Sequence, residues 1–548
     1  MRLAKILAAI IVAAALPLAA AAAPQKVLRY AFEVAETSLD PAKIIDLYSR
    51  ILTPHIFEGL YHYDHLARPI KMKPLTADGM PQHSADFRVW TVRVRPGIYF
   101  AADPAFKGKK RELVAQDYAY SFKRFADPAN KSPGWTGLEA EQLVGLKELR
   151  DDALKNKKPF DYDREIEGIR ALDRYTLRFT LAEPRPRFYE NLASGELFGA
   201  VAREVVEFYG DEIESHPVGT GPFKLVQWRR SSFLAFERNP GFREMLYDAE
   251  PAPDDAEGQA WLARFKGRRL PMVDRVEISI IEEEQPRWLS FVNAESDLQF
   301  EMGFQFVPQA MPNGKVAPNL AKKGIRGYRF VEPTAYCLLF NMEDAMVGGY
   351  APANVALRRA IGLGLDTRTM IAHAYNGQGA PAQSPLLPHT SAYDPQRRSE
   401  FGDHDPARAK ALLDLYGYRD RDGDGWREMP DGSPLLLKIA TQADAPDSIG
   451  ALARFDSRQI GGHNMARFQL PAFDALYDRA NAIADGPERK ALFDQAQALA
   501  LAYMPYKFTL NRISTDMAHP WLIGYRHPVF WTDWWQYVDI DESLRVAH

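Results

Sequence analysis

The sequence predicts a mixed α/β protein with at least two lobes. Three observations lead to this prediction. The chain has 548 residues, well beyond the size at which a single hydrophobic core stops growing. Short segments with the period-two pattern of strands alternate with longer segments that have helical spacing. Hydrophobic residues make up 46% and aromatic residues 12% of the chain, which is typical of packed cores and argues against a disordered protein.

In the first half of the chain, strand patterns surround one clear helix. Val89–Arg95 alternates apolar and polar residues and ends at Pro96-Gly97, which predicts a strand followed by a turn. Val114–Phe125 predicts a helix with Tyr118, Phe122 and Phe125 on one face. The other elements predicted here are strands at Val27–Phe32, Tyr175–Leu181, Phe223–Trp228 and Phe233–Glu237, and a helix at Ser49–Leu60.

A polar, proline-containing segment, residues 249–271, is predicted to separate two lobes. The strand pattern starts again after it, at Val273–Ile281. Further along, the pair Asp405-Pro406 offers an N-cap and a first-turn proline for a helix. The elements predicted in this half are strands at Tyr336–Asn341 and Leu435–Ala440, and helices at Asn354–Leu363, Asp405–Leu415 and Gly486–Met504.

Charge and cysteine content exclude several classes of protein. The 68 basic and 72 acidic residues give a formal net charge of -4, so the chain lacks the basic surplus typical of nucleic-acid binding. The single cysteine, Cys337, excludes an intramolecular disulfide and a cysteine-based zinc cluster. Phosphate-binding loops and H-E-x-x-H motifs are absent from the sequence. We therefore expect no nucleic-acid partner and no cofactor.

The N-terminus has the pattern of a secretory signal peptide. Arg2 and Lys5 precede an apolar, alanine-rich run that is interrupted by Pro17 and ends in small residues at Ala20–Ala23. The alternative is a membrane anchor, because the run approaches spanning length. We expect cleavage near Ala22 or Ala23 and a mature protein in the periplasm. No cysteine near that site offers a lipid attachment point.

Four short motifs follow one another along most of the mature chain. They are, in chain order, Ser38–Pro41 with Ile56–Leu60, Trp90–Phe100 with Leu113–Arg124, Pro217–Trp228 with Glu237–Pro240, and Val355–Asp366. Each alone is weak. In this order, they resemble the motifs of family 5 of the bacterial extracellular solute-binding proteins, which are peptide- and nickel-type receptors of ABC importers.

The resemblance implies an architecture and a function. The fold would be a two-lobed α/β clamp of the type II periplasmic binding proteins, with a discontinuous first lobe. Residues 1–23 would be the signal peptide, 24–268 and 500–548 the first lobe, and 269–499 the second. The protein would perform no chemistry. We expect a monomer that closes on a peptide ligand by hinge motion and delivers it to the permease subunits of an ABC transporter in the inner membrane.

The resemblance also implies where the ligand binds, in each case against a plain structural alternative. The stretch before Leu39-Asp40-Pro41 would lie along the ligand, Trp135 would present an aromatic ring to the cleft, and two residues would come from a strand of the second lobe. The predicted contacts are Glu33, Ala35, Glu36, Thr37, Trp135, Tyr336 and Asn341. The alternatives are a solvated loop for the first four residues and core packing for Trp135.

Two further patterns suggest metal ligands but are better explained otherwise. Residues 420–431 resemble a calcium-binding EF-hand loop, yet Asp431 replaces the usual glutamate and Pro430 interrupts the loop. A tight turn before the next strand explains the same acid–glycine run. His62 and His65 have a spacing that arises by chance among 12 histidines. We predict no metal site.

The chain departs from the family pattern at Asp444–Asn464. Several tens of residues are missing there, including the segment that carries the acidic residue for a peptide's amino group in peptide-binding relatives. Either an internal deletion or a natural short form explains this. We expect weak peptide binding unless Glu33 and Glu36 compensate, because a lost charge-assisted hydrogen bond costs about 1.5–3 kcal/mol.

Two other functions remain open from the sequence. A secreted hydrolase would need a pair of catalytic acids, for which no motif is present. A ligand sensor that docks a chemoreceptor would share the same fold. The ligand class, whether peptide, oligosaccharide, opine or metal chelate, is also open at this stage.

Overall fold

The computed structural model describes residues 25–438, 464–530 and 532–546. The predicted signal peptide, Trp531 and residues 444–463 of the short segment lie outside the described residues. Residues 435–438 of the predicted strand Leu435–Ala440 are not in a strand, and its last two residues are outside the described part. None of the helices in the described ranges has the length and apolar character needed to cross a membrane.

The strands alternate with helices along the chain, as the periodicity predicts. The strands are β1 (Val27–Phe32), β2 (Tyr61–Tyr63), β3 (Met72–Pro74), β4 (Gln82–His83), β5 (Val89–Arg93), β6 (Ile169–Ala171), β7 (Thr176–Thr180), β8 (Phe223–Arg229), β9 (Phe233–Arg238), β10 (Arg275–Ile280), β11 (Leu298–Gln299), β12 (Arg326–Val331), β13 (Tyr336–Leu339), β14 (Gly379–Pro381), β15 (Tyr506–Ala518), β16 (Leu522–Ile523) and β17 (Asp539–Ile540).

Helices occupy most of the remaining ordered segments. They are α1 (Leu47–Leu52), α2 (Ala115–Ala126), α3 (Trp135–Ala140), α4 (Leu146–Asn156), α5 (Phe188–Asn191), α6 (Gly195–Phe198), α7 (Arg203–Tyr209), α8 (Ala256–Phe265), α9 (Glu284–Val292), α10 (Val307–Ala310), α11 (Pro318–Ala321), α12 (Pro352–Gly364), α13 (Thr367–His373), α14 (Pro406–Leu415), α15 (Pro471–Ala482), α16 (Pro487–Tyr503) and α17 (Glu542–Val546).

Local chemistry explains several of these bounds. Helix α14 begins after Asp405, whose carboxylate accepts a hydrogen bond from the Arg408 amide at 2.9 Å, as predicted for an N-cap. Helix α1 is shorter than the predicted Ser49–Leu60. It ends at Leu52, and a single 3₁₀ turn follows, because Pro54 has no N–H to continue the hydrogen bonds of the α-helix.

A nine-stranded mixed sheet forms the centre of the molecule. Its main path runs β12-β15-β11-β1-β10-β9-β8, and β13 and β14 also pair with β15. Strand β1 is parallel to β10 and β11, whereas β15 is antiparallel to all of its partners. A separate four-stranded sheet, β4-β5-β7-β6, packs with α2 over a core of its own.

Strand β15 connects two hydrophobic cores. Its first residues, including Tyr506 and Phe508, are buried in a core formed by residues between 335 and 508. Its last residue, Ala518, belongs to the core beneath β1 and β10. Between these ends, β15 pairs with β13 and β14 near Leu510 and with β12 from Ile513 onward. The middle of β15 therefore lies where the two cores meet.

The chain continues in the same sheet across the predicted division at residues 268 and 269. Strand β10 pairs with both β1 and β9, so residues 275–280 belong to the same sheet as β1, in the predicted first lobe. The polar segment before it contains α8, which buries Trp261 and Phe265. The segment is polar only on its outer face, which explains why composition suggested a linker. The exact limits of the lobes stay a prediction.

Candidate functional site

A cluster of charged side chains surrounds the middle of β15. Arg512 lies at its centre. One guanidinium nitrogen is 3.6 Å from Glu301 Oε2, and Nε is 3.4 Å from Glu332 Oε1. These three side chains are 11–22% exposed, so the cluster is largely buried but open to solvent on one side.

The register of the sheet brings these residues together. Glu301 follows the end of β11, and its backbone N–H donates to Asp516 Oδ1 at 2.8 Å. Glu332 follows the end of β12, and its N–H donates to the Arg512 carbonyl at 2.9 Å. Both strands pair with β15, so their ends deliver one acidic residue each to the same point.

Asp516 and His527 are the buried members of the cluster. Asp516 Oδ2 accepts a hydrogen bond from the Tyr525 hydroxyl at 2.6 Å and contacts His527 Nδ1 at 2.7 Å. Burial opposes protonation of His527, but the Asp516 carboxylate outweighs it and raises the histidine pKa. The imidazole ring is stacked between Phe300 and Phe330, with centroids 5.7 and 4.7 Å away.

A second ion pair borders the cluster on the side of β1. Glu33 follows β1, and its Oε2 is 2.9 Å from a guanidinium nitrogen of Arg287. Arg287 is fixed because it also donates to the carbonyls of Ile281 and Glu282 at 2.7 and 3.0 Å. Burial raises the pKa of the Tyr48 hydroxyl, and the negative charge of Glu33 adds to this rise.

Carboxylates outnumber cations in this site. The acidic groups are Glu33, Glu301, Glu332 and Asp516, and the basic groups are Arg287, Arg512 and His527. With His527 protonated and all four acids ionised, one negative charge remains in excess. Burial is the main reason why the pKa of Glu301 rises to about 7; Arg512 opposes the rise and Glu332 adds to it. The site therefore favours a ligand group that carries positive charge.

Aromatic rings form a wall beside Arg512. The guanidinium carbon lies 5.3 Å from the Phe304 ring centroid, within the range of a cation–π contact. The ring centroids of Phe304 and Tyr375 are 5.3 Å apart, and those of Tyr375 and Tyr336 are 5.6 Å apart. Such rings can pack against the apolar parts of a ligand while the charged groups orient it.

Glu33 and Tyr336 are the two predicted site residues that lie in this cluster. Burial lowers the pKa of Arg512, and the charges of Glu33 and Tyr336 are among those that outweigh burial and raise this pKa. Ala35 is half-buried in the loop after β1. Glu36 is buried, accepts a hydrogen bond from the Trp228 indole and has a pKa raised by burial. Thr37 is exposed, and its amide donates to Ser49 Oγ at 2.9 Å.

The other two predicted residues lie elsewhere. Trp135 begins α3 and is 8% exposed within the core of the four-stranded sheet. The Arg150 guanidinium lies 4.9 Å from its ring centroid. Asn341 is exposed beyond β13, and its Oδ1 accepts a hydrogen bond from the Glu343 amide at 3.1 Å. Their roles in ligand binding stay predictions.

Sequence reasoning missed the acids and the arginine at the centre of the cluster. One signal was available for β15, because Arg512, Ser514 and Asp516 occupy alternate positions and so share one face of a buried strand. No comparable signal marks Glu301 and Glu332, which become neighbours only through pairing with β15.

The two patterns that suggested metal ligands have structural explanations. The carboxylates of Asp420, Asp422, Asp424 and Glu428 lie within 4.8 Å of one another and are mostly exposed. Asp420 accepts hydrogen bonds from the amides of Gly423 and Gly425 at 2.7 and 2.9 Å, as in a tight turn. His62 and His65 are paired with tyrosines, and burial lowers their pKa values to about 4 and 3.

Comparison with known proteins gives consistent results. The family described as "Bacterial extracellular solute-binding proteins, family 5 Middle" matches residues 71–461. The "Di/tripeptide-binding protein 2" of Pseudomonas aeruginosa is 24% identical in an alignment of 585 positions that covers 93% of this chain and 94% of that protein.

Two solved structures show the same fold. The periplasmic binding protein DppA of Helicobacter pylori, in complex with the peptide STSA, has a TM-score of 0.67, 22% identity and coverage of 94% of this chain and 98% of that one. The murein tripeptide binding protein MppA of Escherichia coli has a TM-score of 0.67, 19% identity and coverage of 94% and 99%. The predicted two-lobed α/β clamp is thereby confirmed. The chain belongs to family 5 of the bacterial extracellular solute-binding proteins, the substrate-binding receptors of ABC transporters.

Proposed function

We propose that this receptor captures peptides between its two lobes and delivers them to the permease of an ABC importer. The observation that carries the proposal is the charged cluster around Arg512 on the strand shared by the two cores. A peptide carries an ammonium and a carboxylate group. The cluster contains side chains of both signs, with an acidic excess, beside an aromatic wall.

The names of several similar proteins support a peptide ligand. Di/tripeptides are named for the P. aeruginosa relative, and a bound peptide for the H. pylori structure. A receptor of this kind encloses its ligand without turnover, so this protein would not be an enzyme. It would be exported by residues 1–23, act as a periplasmic monomer and have the permease subunits as its macromolecular partner.

The short segment near residues 444–464 bears on affinity. The sequence departs from the family pattern there, where several tens of residues expected from the resemblance are missing. This short form would lack the acidic residue that holds a peptide's amino group in peptide-binding relatives. We therefore infer that the affinity for peptides depends more heavily on the cluster around β15.

Titration calorimetry with a mixed library of di- to pentapeptides tests the proposal. We expect saturable binding, with one site per chain. Mass spectrometry of ligands that co-purify with the protein from the periplasm should identify peptides. As a control, Glu165→Gln removes a carboxylate that is 83% exposed and remote in the fold, and it should bind as the wild type does. Absence of binding to the whole library, together with a co-purified ligand of another class, would contradict a peptide receptor.

A further inference from the structure

The three carboxylates nearest to Arg512 differ in how well they are satisfied. Glu33 is paired with Arg287 at 2.9 Å. Glu332 accepts a hydrogen bond from the Ser514 hydroxyl and a longer one from Thr334 at 3.4 Å. The Glu301 carboxylate has only Arg512, at 3.6 Å, and receives no hydrogen bond from any residue that the structure describes. The Glu301 side chain is 12% exposed, so its oxygens are open to solvent and a ligand donor can reach them.

The backbone at Glu301 is held in an unfavourable conformation. Its φ angle is +45°, in the left-handed region that non-glycine residues rarely adopt. The hydrogen bond from its amide to Asp516 Oδ1 keeps it there and directs the residue into the cluster. Strained backbone persists where the surrounding structure enforces it, and it is concentrated at binding sites.

The surroundings of Glu301 suit a cationic group. The site has an excess of one carboxylate even when His527 is protonated, and the Glu301 side chain is 12% exposed. The rings of Tyr48 and Phe304 border the same site. The Glu301 charge contributes to the raised pKa of Tyr48, and the Phe304 ring contacts the Arg512 guanidinium. A primary ammonium offers three donors and one positive charge, and aromatic faces attract it.

We propose that the Glu301 carboxylate binds a primary ammonium group of the ligand, either the N-terminal amine or a lysyl side chain. This inference rests on the proposed function and names the residue that replaces the acid missing from the short segment. It differs from the sequence-based expectation for Glu33 and Glu36. Glu33 is already paired with Arg287. Glu36 accepts from the Trp228 indole through Oε1, whereas its Oε2 is buried with no hydrogen-bond partner among the described residues, which leaves it outside the cluster around Arg512.

Ligand binding should release protons near neutral pH. Burial raises the pKa of Glu301 to about 7, so the group is partly protonated before the ligand arrives. An ammonium group lowers this pKa, so affinity increases as the pH rises through 7. The other charged or titratable groups that face Glu301 are Arg512, Glu332, Asp516, His527, Tyr48 and Tyr525, and Glu33 acts on the neighbouring Arg512.

Calorimetry on the full chain compares three probes with the wild type, Glu301→Gln and the control Glu165→Gln. The probes are the di- to pentapeptide library, the same library N-acetylated and free of lysine, and 1,5-diaminopentane. For Glu301→Gln we expect a loss of about ten- to a hundredfold in affinity for the free library. Binding of the acetylated, lysine-free library should be equally weak in all three proteins. Restoring lysine to the acetylated library separates a lysyl source from the N-terminal source.

The outcomes separate the two proposals. If free peptides bind Glu301→Gln as tightly as the wild type, the ammonium site is wrong and the peptide receptor stands. If no peptide binds but 1,5-diaminopentane binds the wild type and not the variant, the peptide function is wrong and the ammonium site stands. If no probe binds, both are wrong. Should the variant not fold, wild-type titrations with 1,5-diaminopentane at pH 7 in buffers of different ionisation enthalpy decide, because amines of the lysine type stay protonated at this pH. Proton release on binding is expected, and binding without proton release would overturn the site.

Discussion

At the scale of single residues, two of the sequence motifs meet in one buried ion pair. Asp40, in the first motif, contacts both terminal guanidinium nitrogens of Arg124, in the second, at 2.6 and 2.8 Å. Both side chains are at most 2% exposed. These two motifs therefore have a structural role, because the Asp40–Arg124 pair holds the loop after β1 against α2. Their spacing in the sequence gives no indication of this pairing.

We predict that Asp40→Asn lowers the free energy of unfolding by about 3–5 kcal/mol, because it leaves the Arg124 charge buried without its partner. Denaturation in urea, followed by circular dichroism, measures this loss. The matched control is Asp163→Asn, which removes one side of the exposed pair with Arg203 and should unfold as the wild type does. Equal midpoints for the two variants would contradict a stabilising role for the buried pair.

The candidate site shows what residue-level reasoning can reach. Glu33 was found through its position before a recognised motif, and it does lie at the edge of the cluster. Glu301 was not found, because its importance depends on Arg512 and Asp516, which are more than two hundred residues away. Contacts between residues so far apart in sequence depend on the register in which the strands pair. That register depends on which faces of all the strands are buried, so no single segment predicts it.

At the scale of elements, periodicity predicted most strands and helices, whereas composition did not reveal the helix within residues 249–271. The segment 249–271 is rich in polar residues, but Gly258, Trp261 and Phe265 have helical spacing and form the buried side of α8. Strand pairing is a harder problem. Nothing in β1 or β10 alone specifies that they lie side by side in parallel, because many strands with similar apolar patterns could pair there.

The packing of α8 leads to a prediction. Trp261 is 6% exposed in a core that includes Tyr247 and Phe265, and the Arg526 guanidinium lies 5.2 Å from its ring centroid. Trp261→Ala should therefore cost about 3–5 kcal/mol of stability by opening a cavity. Trp426→Ala serves as the control because Trp426 is 77% exposed, and we expect a change within about 0.5 kcal/mol. Both are measured from urea denaturation midpoints, and a small effect for Trp261 would mean that the segment behaves as a linker.

At the scale of the whole molecule, strand β15 is shared by two of the hydrophobic cores. Strand β15 carries Arg512 and Asp516 between its two ends, so a ligand held by these residues would contact the point where the cores meet. The lobes can rotate relative to each other only by bending at such connections, which is how hinged receptors enclose a ligand. Ligand binding and lobe closure should therefore be one event.

This coupling gives a prediction for the intact protein. Binding of the peptide library should reduce the radius of gyration measured by small-angle X-ray scattering, and it should raise the melting temperature, because the ligand binds only the folded state. At a ligand concentration one hundred times Kd, the added stability is about 2.7 kcal/mol. Glu301→Gln should need a higher ligand concentration to reach the same compact state, since the ammonium contact is lost while the hinge is intact. If calorimetry shows saturation and the scattering curve does not change, the lobes do not close on the ligand, and capture must depend on a cleft that is already formed.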